Sequence, residues 1–181
     1  MNTKNLVALS LLMGIGAVLH AVIPGIGNGM KPDMMLTMMF LGIMLFPDKK
    51  NVLLVGIVTG LLSALTTSFP AGQLPNIIDK LVTAFVFYLL FLAFKKFSHT
   101  LVGAGALTAV GTIVSGSVFL GSAQFIAGLP GSMTFGALFV GVVLPAVALN
   151  TITISVVYPV VRSVIKRTGF SPVQAAVQEQ K

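Results

Sequence analysis

The sequence predicts an all-α membrane protein, a bundle of six transmembrane helices with both termini on the cytoplasmic side. A run of 65 residues, from position 97 to 161, contains no Asp, Glu, Lys or Arg. Charged residues make up 8% of the chain, against about 25% in a soluble domain. A charge at the centre of a bilayer is costly and one span needs about 20 apolar residues. The run therefore corresponds to two spans and a turn.

The remaining gaps between charged residues and Pro/Gly pairs follow the same pattern. The predicted spans lie at about 5–23, 33–47, 51–69, 76–97, 100–126 and 134–162. Together they form one transmembrane domain, 1–167, and 168–181 is a polar cytoplasmic tail. The first apolar run exceeds the roughly 7–15 residues of a signal-peptide core. We therefore interpret it as a retained span.

The distribution of Lys and Arg predicts the orientation, because positive residues accumulate on the cytoplasmic side. With six spans, nine of the 11 basic residues lie inside and only Lys31 and Lys80 lie outside. An alternative with five spans and an external N-terminus gives the same ratio, if 33–47 does not cross. A helix over those 15 residues reaches only about 22 Å. Local thinning of the bilayer accommodates such a short helix, and we prefer six spans.

Several classes of protein are excluded by what the sequence lacks. There is no cysteine, which removes disulfides, thiolate metal sites and thiol redox chemistry. There is no P-loop, HExxH or GxSxG motif, so we expect neither ATP hydrolysis by this chain nor other catalysis. No cofactor or metal is predicted. The net charge of +7 comes from clusters at span ends, which indicates orientation in the lipid bilayer and not binding of nucleic acid.

Small residues four positions apart predict where helices pack closely in the bilayer. Gly56 and Gly60 form such a pair in the third span, and we interpret it as internal packing. Ala17 and Ala21 form another in the first span. That pair serves either internal packing or the docking of a partner helix.

The polar residues at the start of the fourth span have two interpretations. Asn76 followed by Asp79 resembles a capping box, and an acid in a first turn suits the helix dipole. Lys80 in a first turn opposes that dipole, so it requires an anion. Asp79, Asp33 and a substrate carboxylate are the candidates. Alternatively, Asp79 and Lys80 bind the amino and carboxylate groups of a zwitterion.

Other polar groups are few within the spans. Asp33 is predicted to cap the second span. Asn150 lies deep in an uncharged span, and a buried amide needs partners, so it bonds a neighbouring helix or a ligand. Gln124 ends the fifth span near the outer face. His20 either lines a pocket or is buried with its bonds satisfied.

Methionine and phenylalanine provide candidate apolar contacts. Six of the nine methionines, Met34 among them, fall between positions 30 and 44. Because Met packs adaptably against rings, this run forms either a soft wall beside an aromatic ligand or ordinary packing against lipid or core. Phe87 on the fourth span has the same two interpretations.

Three segments carry a resemblance to a known family. They read MKPDMMLTMMFLG (30–42), FPDKKNVLLVG (46–56) and PNIIDK (75–80), the last followed by TAFVF (83–87). In these segments and over essentially its whole length the chain resembles the tryptophan transporter family of Bacillus-type bacteria. That family is similar to the S components of energy-coupling-factor (ECF) transporters.

The resemblance implies a fold and a function. It implies an S-component-like bundle of six helices in the bacterial plasma membrane, with an outward-facing site covered by the loops after spans 1, 3 and 5. In S components an Ala-x-x-x-Ala seam on the first span docks the coupling subunit of a module that also contains ATPases; Ala17 and Ala21 match it. We expect tryptophan uptake, with these substrate-binding candidates: Asp79, Lys80, Asn76, Asn150, Gln124, Met34 and Phe87.

Two alternatives remain open at this stage. The same fold serves another solute, such as a vitamin or a different aromatic compound. From a different class, the chain is a structural or pore-forming membrane protein without a specific ligand. A pore requires polar stripes along its helices, whereas positions 81–94 show only Thr83 and Tyr88, which argues against a channel.

Overall fold

The computed structural model describes residues 3–23, 33–98, 100–131 and 133–167, except for the side chains of 165 and 166. All the regular secondary structure in these ranges is helical. The helices are α1 (Thr3–Val22), α2 (Met34–Leu45), α3 (Lys49–Leu65), α4 (Gln73–Ala93), α5 (Lys95–Ser98), α6 (Leu101–Ile126), α7 (Phe135–Leu138) and α8 (Leu144–Arg167). A π-helical turn, Phe139–Val143, joins α7 to α8.

Four helical segments are long and apolar enough to cross a membrane. They are Thr3–Val22, Gln73–Ala93, Leu101–Ile126 and Phe135–Val164. They coincide with the predicted spans 1, 4, 5 and 6, and they are consistent with a multi-pass membrane protein. Helix α2 has only 12 residues and α3 has 17.

The short helix α2 lies at the centre of the bundle. All its residues, Met34–Leu45, are buried, and it contacts α1, α3, α4, α6 and α8. A helix that is apolar on every side is typical of such a position. For the methionines of α2, the interpretation as core packing is confirmed and the one as lipid contact is wrong, because the surrounding helices leave α2 no outer surface.

Aspartate side chains cap α2 and α3. The Asp33 carboxylate accepts a hydrogen bond from the Leu36 N–H at 2.9 Å at the start of α2, so its predicted cap is confirmed. Asp48 caps α3 in the same way, accepting from the N–H groups of Lys50 and Asn51. Both aspartates satisfy backbone donors that a helix N-terminus leaves open.

The predicted capping box at the start of the fourth span is wrong. Helix α4 begins at Gln73, so Pro75 lies in its first turn, where a missing N–H costs nothing. The Asn76 side chain donates to the Gly72 carbonyl at 2.8 Å. Asp79 and Lys80 consequently lie inside the helix, where neither acts as a cap.

Glycines bring α3 and α4 into close contact. A Cβ added at Gly56 would lie 3.1 Å from Ala84 Cβ, and one at Gly60 would lie 3.2 Å from Ile77 Cα. The interpretation of this pair as internal packing is confirmed. The close approach fixes α4 against α3 on either side of Lys80.

The outward face of α1 is apolar. Val7, Leu11, Ile15, Val18 and Val22 are all exposed on it, as expected for a helix that faces lipid. A shallow cavity of about 670 Å³ follows this face and is lined by residues of α1, from Leu6 to Leu19. Since its lining comes from one helix and is almost wholly apolar, the cavity offers no polar anchor for a solute.

Candidate functional site

Lys80 is the centre of a buried ionic cluster. Its side chain is 3% exposed, and its Nζ lies 2.8 Å from Asp79 Oδ2 and 2.8 Å from Asp33 Oδ2. It also donates to Ser115 Oγ at 3.3 Å. The prediction that Lys80 needs an anion is confirmed, because both candidate aspartates form ion pairs with it.

Asp79 is the enclosed acid of the pair. Its side chain is 1% exposed. Oδ1 accepts from Thr83 Oγ1 at 2.8 Å, one helical turn along α4. Oδ2 accepts from Ser115 Oγ at 2.8 Å in addition to Lys80. Three donors therefore hold this carboxylate, and they compensate for the water it lost on burial.

Asp33 is the more accessible acid, at 27% exposure. Besides Lys80 and the cap bond to Leu36, its Oδ1 lies 3.9 Å from His20 Nδ1 on α1. Its backbone N–H donates to Asn150 Oδ1 at 2.8 Å. The N-terminal end of α2 is thereby connected to α1, α4 and α8.

Asn150 bridges two elements from the interior of α8. Its side chain is fully buried. Oδ1 accepts from the Asp33 N–H, and Nδ2 donates to Thr112 Oγ1 on α6 at 3.3 Å. The prediction that this amide bonds a neighbouring helix is confirmed, and both of its polar atoms are used.

We call this set of residues the polar network. It joins α1, the start of α2, α4, α6 and α8, and its members are His20, Asp33, Asp79, Lys80, Thr83, Thr112, Ser115 and Asn150. Ionisable groups between membrane helices are expensive and mark functional sites. With both acids ionised and His20 neutral, the network carries one net negative charge. Within the described ranges, no three His, Asp or Glu side chains are placed so that they could hold a metal ion together.

The other predicted site residues lie at various distances from the network. Asn76 is buried one turn before Lys80 on α4, and Met34 directly follows Asp33. Phe87 is fully buried and stacks on Phe40, with ring centroids 4.0 Å apart and planes at 10°. Gln124 is exposed on α6. Asp79, Lys80 and Asn150 are thus brought together, whereas Phe87 and Gln124 are outside the network.

Five members of the network were not among the predicted substrate-binding residues. Thr83, Thr112 and Ser115 are hydroxyls inside apolar helices. Asp33 was predicted only as a helix cap and as a candidate anion for Lys80, and His20 was not connected with the other polar residues. A signal did exist for two of them, because Thr112 and Ser115 are three positions apart and so share one face of α6. Nothing in the sequence indicated which helix that face would meet.

Comparisons with known proteins identify the family. The family model described as "Tryptophan transporter TrpP" matches residues 2–166. A "probable tryptophan transport protein" of Bacillus subtilis strain 168 is 59% identical over 171 residues, which cover 94% of this chain and 97% of that protein. A protein of the same description from Clostridium acetobutylicum is 46% identical over 162 residues, covering 90% and 94%.

A third such protein, from Clostridium perfringens strain 13, is 40% identical over 178 residues, covering 93% of this chain and 96% of its own length. No solved structure matches the chain. The family consists of transporters, which agrees with the absence of catalytic motifs. The chain belongs to the tryptophan transporter family, as the resemblance of its sequence segments had implied.

Proposed function

We propose that the chain carries tryptophan into the cell and holds it at the polar network during transport. The family supports the substrate. The polar network supports the location of the binding site. Two acids and one cation lie there among apolar helices, where such groups mark substrate pathways. The ionic triad of Asp33, Asp79 and Lys80, with Asp33 as its accessible member, is the observation that carries this proposal.

The charges of the network match those of an amino acid. Tryptophan is a zwitterion, with an ammonium and a carboxylate on one carbon atom. Lys80 binds the substrate carboxylate, and one aspartate binds the ammonium. Binding breaks one ion pair within the network and forms two ion pairs with the substrate. Because a zwitterion has no net charge, the net charge of the site does not change. Such an exchange avoids leaving a buried charge unpaired.

Asp33 is the acid that we assign to the ammonium. Asp79 was the prediction from sequence, and it stays a candidate. However, Asp79 has three donors and is almost inaccessible, whereas Asp33 is 27% exposed and shares Lys80 as its close ionic partner. A substrate carboxylate that displaces Asp33 from Lys80 leaves the Asp33 carboxylate beside the incoming ammonium.

The site is proposed to face outward. In the six-span arrangement with both termini in the cytoplasm, the start of α2, the start of α4 and the end of α6 share the outer side. Asp33 directly precedes α2, Lys80 lies about two turns into α4 and Ser115 lies just past the midpoint of α6, so in this arrangement the network belongs to the outer half of the bundle. Four long apolar segments support a multi-pass arrangement, and whether α2 and α3 also cross belongs to the proposal.

Energy coupling follows the S-component resemblance in our proposal. The chain would act as the solute-binding subunit, and an ECF module would supply ATP hydrolysis. Ala17 is half-buried and Ala21 is exposed on the apolar face of α1, so this face is the proposed docking surface for the coupling subunit. Transport by the chain alone in proteoliposomes would contradict the need for a module.

Fluorescence provides a direct test of the site. The chain contains no tryptophan, so emission excited outside the tyrosine band comes only from the ligand. We expect saturable binding by the purified protein in detergent, with phenylalanine and thiamine failing to displace tryptophan. We expect Asp33→Asn to weaken binding about tenfold or more, since a lost charged partner costs upwards of about 1.4 kcal/mol.

Asp48→Asn is the matched control. Asp48 also caps a helix, and Asn is an equally good cap, so both variants keep their helix N-termini. Asp48→Asn should bind tryptophan like the unmodified protein. If Asp79→Asn loses binding and Asp33→Asn does not, the ammonium belongs on Asp79. Normal binding by both variants would overturn the assignment of the network as the substrate site.

A further inference from the structure

A group of apolar residues lies next to the polar network, and we call it the aromatic cluster. Its partly buried rings are Phe69, Phe119, Phe135 and Phe139, packed around buried Leu120, Leu138 and Val143. The Phe69 and Phe119 rings meet edge to face, with centroids 5.1 Å apart and planes at 80°. The rings come from the α3–α4 loop, α6, α7 and the π-helical turn.

Two helices lead directly from the network into this cluster. On α6, Phe119 follows Ser115 by four positions, so the two side chains lie on one face about 6 Å apart along the axis. On α8, Val147 packs against the cluster and lies one turn before Asn150. The cluster and the network are consecutive layers of the same helices.

A stacked ring pair in the core is more completely enclosed than the rings of this cluster. Phe40 and Phe87 are fully buried against each other. A Cβ at Gly111 would lie 2.6 Å from Phe40 and 2.8 Å from Phe87. The backbone of α6 therefore packs directly against both rings. A ligand ring cannot enter there without unpacking the core.

We infer that the aromatic cluster is the subsite for the indole ring of the substrate. The inference rests on the proposed function, because it needs the charged end of tryptophan at Lys80. One methylene separates the indole from the carbon that bears both charged groups. A substrate anchored at the network therefore places its ring within about one helical turn, and the cluster lies at that distance.

The chemistry of the cluster fits an aromatic ligand. Rings prefer edge-to-face or offset contacts with other rings, and the cluster already contains one such contact, between Phe69 and Phe119. The π-helical turn carries Phe139 and Val143 at its two ends, and such turns occur frequently at functional sites. Solutes without a ring would lose these contacts.

The test compares two phenylalanines of the same helix. Phe119→Ala removes a ring of the cluster, whereas Phe125→Ala removes one that is 94% exposed. We expect Phe119→Ala to weaken tryptophan binding about tenfold, as truncation of a central aromatic contact does. We also expect the emission of bound tryptophan to move toward longer wavelengths, because the indole becomes more hydrated. Phe125→Ala should change neither quantity.

Phe119→Leu covers the case in which the alanine variant does not fold. It keeps most of the apolar volume and removes the ring, and we expect a smaller loss of affinity in the same direction. Unchanged affinity and unchanged emission in a folded Phe119 variant would overturn the inference. Failure of the proposed function would look different, because the unmodified protein would then not bind tryptophan, or Asp33→Asn and Asp79→Asn would both bind it normally.

Discussion

Replacing Lys80 by Met removes the cation that pairs with the buried Asp79 and the partly exposed Asp33. The carboxylates of Asp33 and Asp79, each 2.8 Å from Nζ, would face each other without a counter-ion. Breaking a buried ion pair costs about 3–5 kcal/mol. Asp79 keeps its bonds from Thr83 and Ser115, and Asp33 is partly hydrated. We therefore expect the lower end, a loss of about 3 kcal/mol in the free energy of unfolding.

The triple variant Asp33→Asn, Asp79→Asn, Lys80→Met separates lost pairing from lost packing. It removes the charges together and keeps the cap on α2, since Asn caps as well as Asp. Removing all members of a buried ionic group together leaves no charge without its partner, which is the main cost of breaking such a group. We expect its free energy of unfolding within about 1 kcal/mol of the unmodified protein, although tryptophan binding is lost.

Both variants are compared by unfolding in mixed micelles, with SDS as the denaturant and helical circular dichroism as the signal. Lys50→Met is the control. Lys50 is exposed, so its replacement should change the free energy of unfolding by less than about 0.5 kcal/mol. If Lys80→Met is as stable as the control, or if the triple variant is as unstable as Lys80→Met, the ionic cluster does not contribute as the structure indicates.

Two further predictions concern packing and hydrogen bonding. Gly111→Ala forces a methyl group against rigid rings and should cost about 1–3 kcal/mol. On the same helix, the Cβ that Gly105→Ala adds would lie 3.6 Å from its nearest neighbour, so this variant should be neutral or stabilising by about 0.5–1 kcal/mol. If Gly105→Ala proved less stable than Gly111→Ala in the SDS titration, the packing described for α6 would be refuted. Asn150→Ala leaves the Asp33 N–H without its acceptor and should cost about 1–3 kcal/mol, so a variant of unchanged stability would show that this bond contributes nothing.

The positions of the long helices could be predicted because the bilayer excludes charge. The run without Asp, Glu, Lys or Arg from 97 to 161 is long enough for two spans, and four of the predicted spans coincide with the four long apolar segments. The cap by Asp33 could be predicted as well, because a cap depends on residues within one turn. Both inferences rest on local physical requirements.

The start of α4 was predicted incorrectly for a reason that is also local. Pro75 was taken to precede the helix, but proline fits the first turn equally well. The helix therefore begins earlier, at Gln73, and Asp79 and Lys80 move from its end into its interior. That shift changes Asp79 from a helix cap into a buried partner of Lys80.

The polar network could be predicted only in part, because its bonds connect distant parts of the chain. Ser115 lies 36 positions from Asp79, and Asn150 lies 117 from Asp33. No periodicity within one helix shows which neighbour its polar face will meet. Sequence pointed to Asp79, Lys80 and Asn150 as polar residues that need partners, but the identity of those partners depends on how α2, α4, α6 and α8 pack.

In the proposed site the polar network recognises both charged groups of tryptophan. Equilibrium binding to the purified chain, with tryptamine and indole-3-propionate as competitors, tests each group separately. Tryptamine lacks the carboxylate and indole-3-propionate lacks the ammonium. We expect each analogue to bind at least about tenfold more weakly than tryptophan, because each leaves one charged side chain of the network without its partner. If either analogue competes as well as tryptophan, the network does not recognise the missing group, and the claim is wrong.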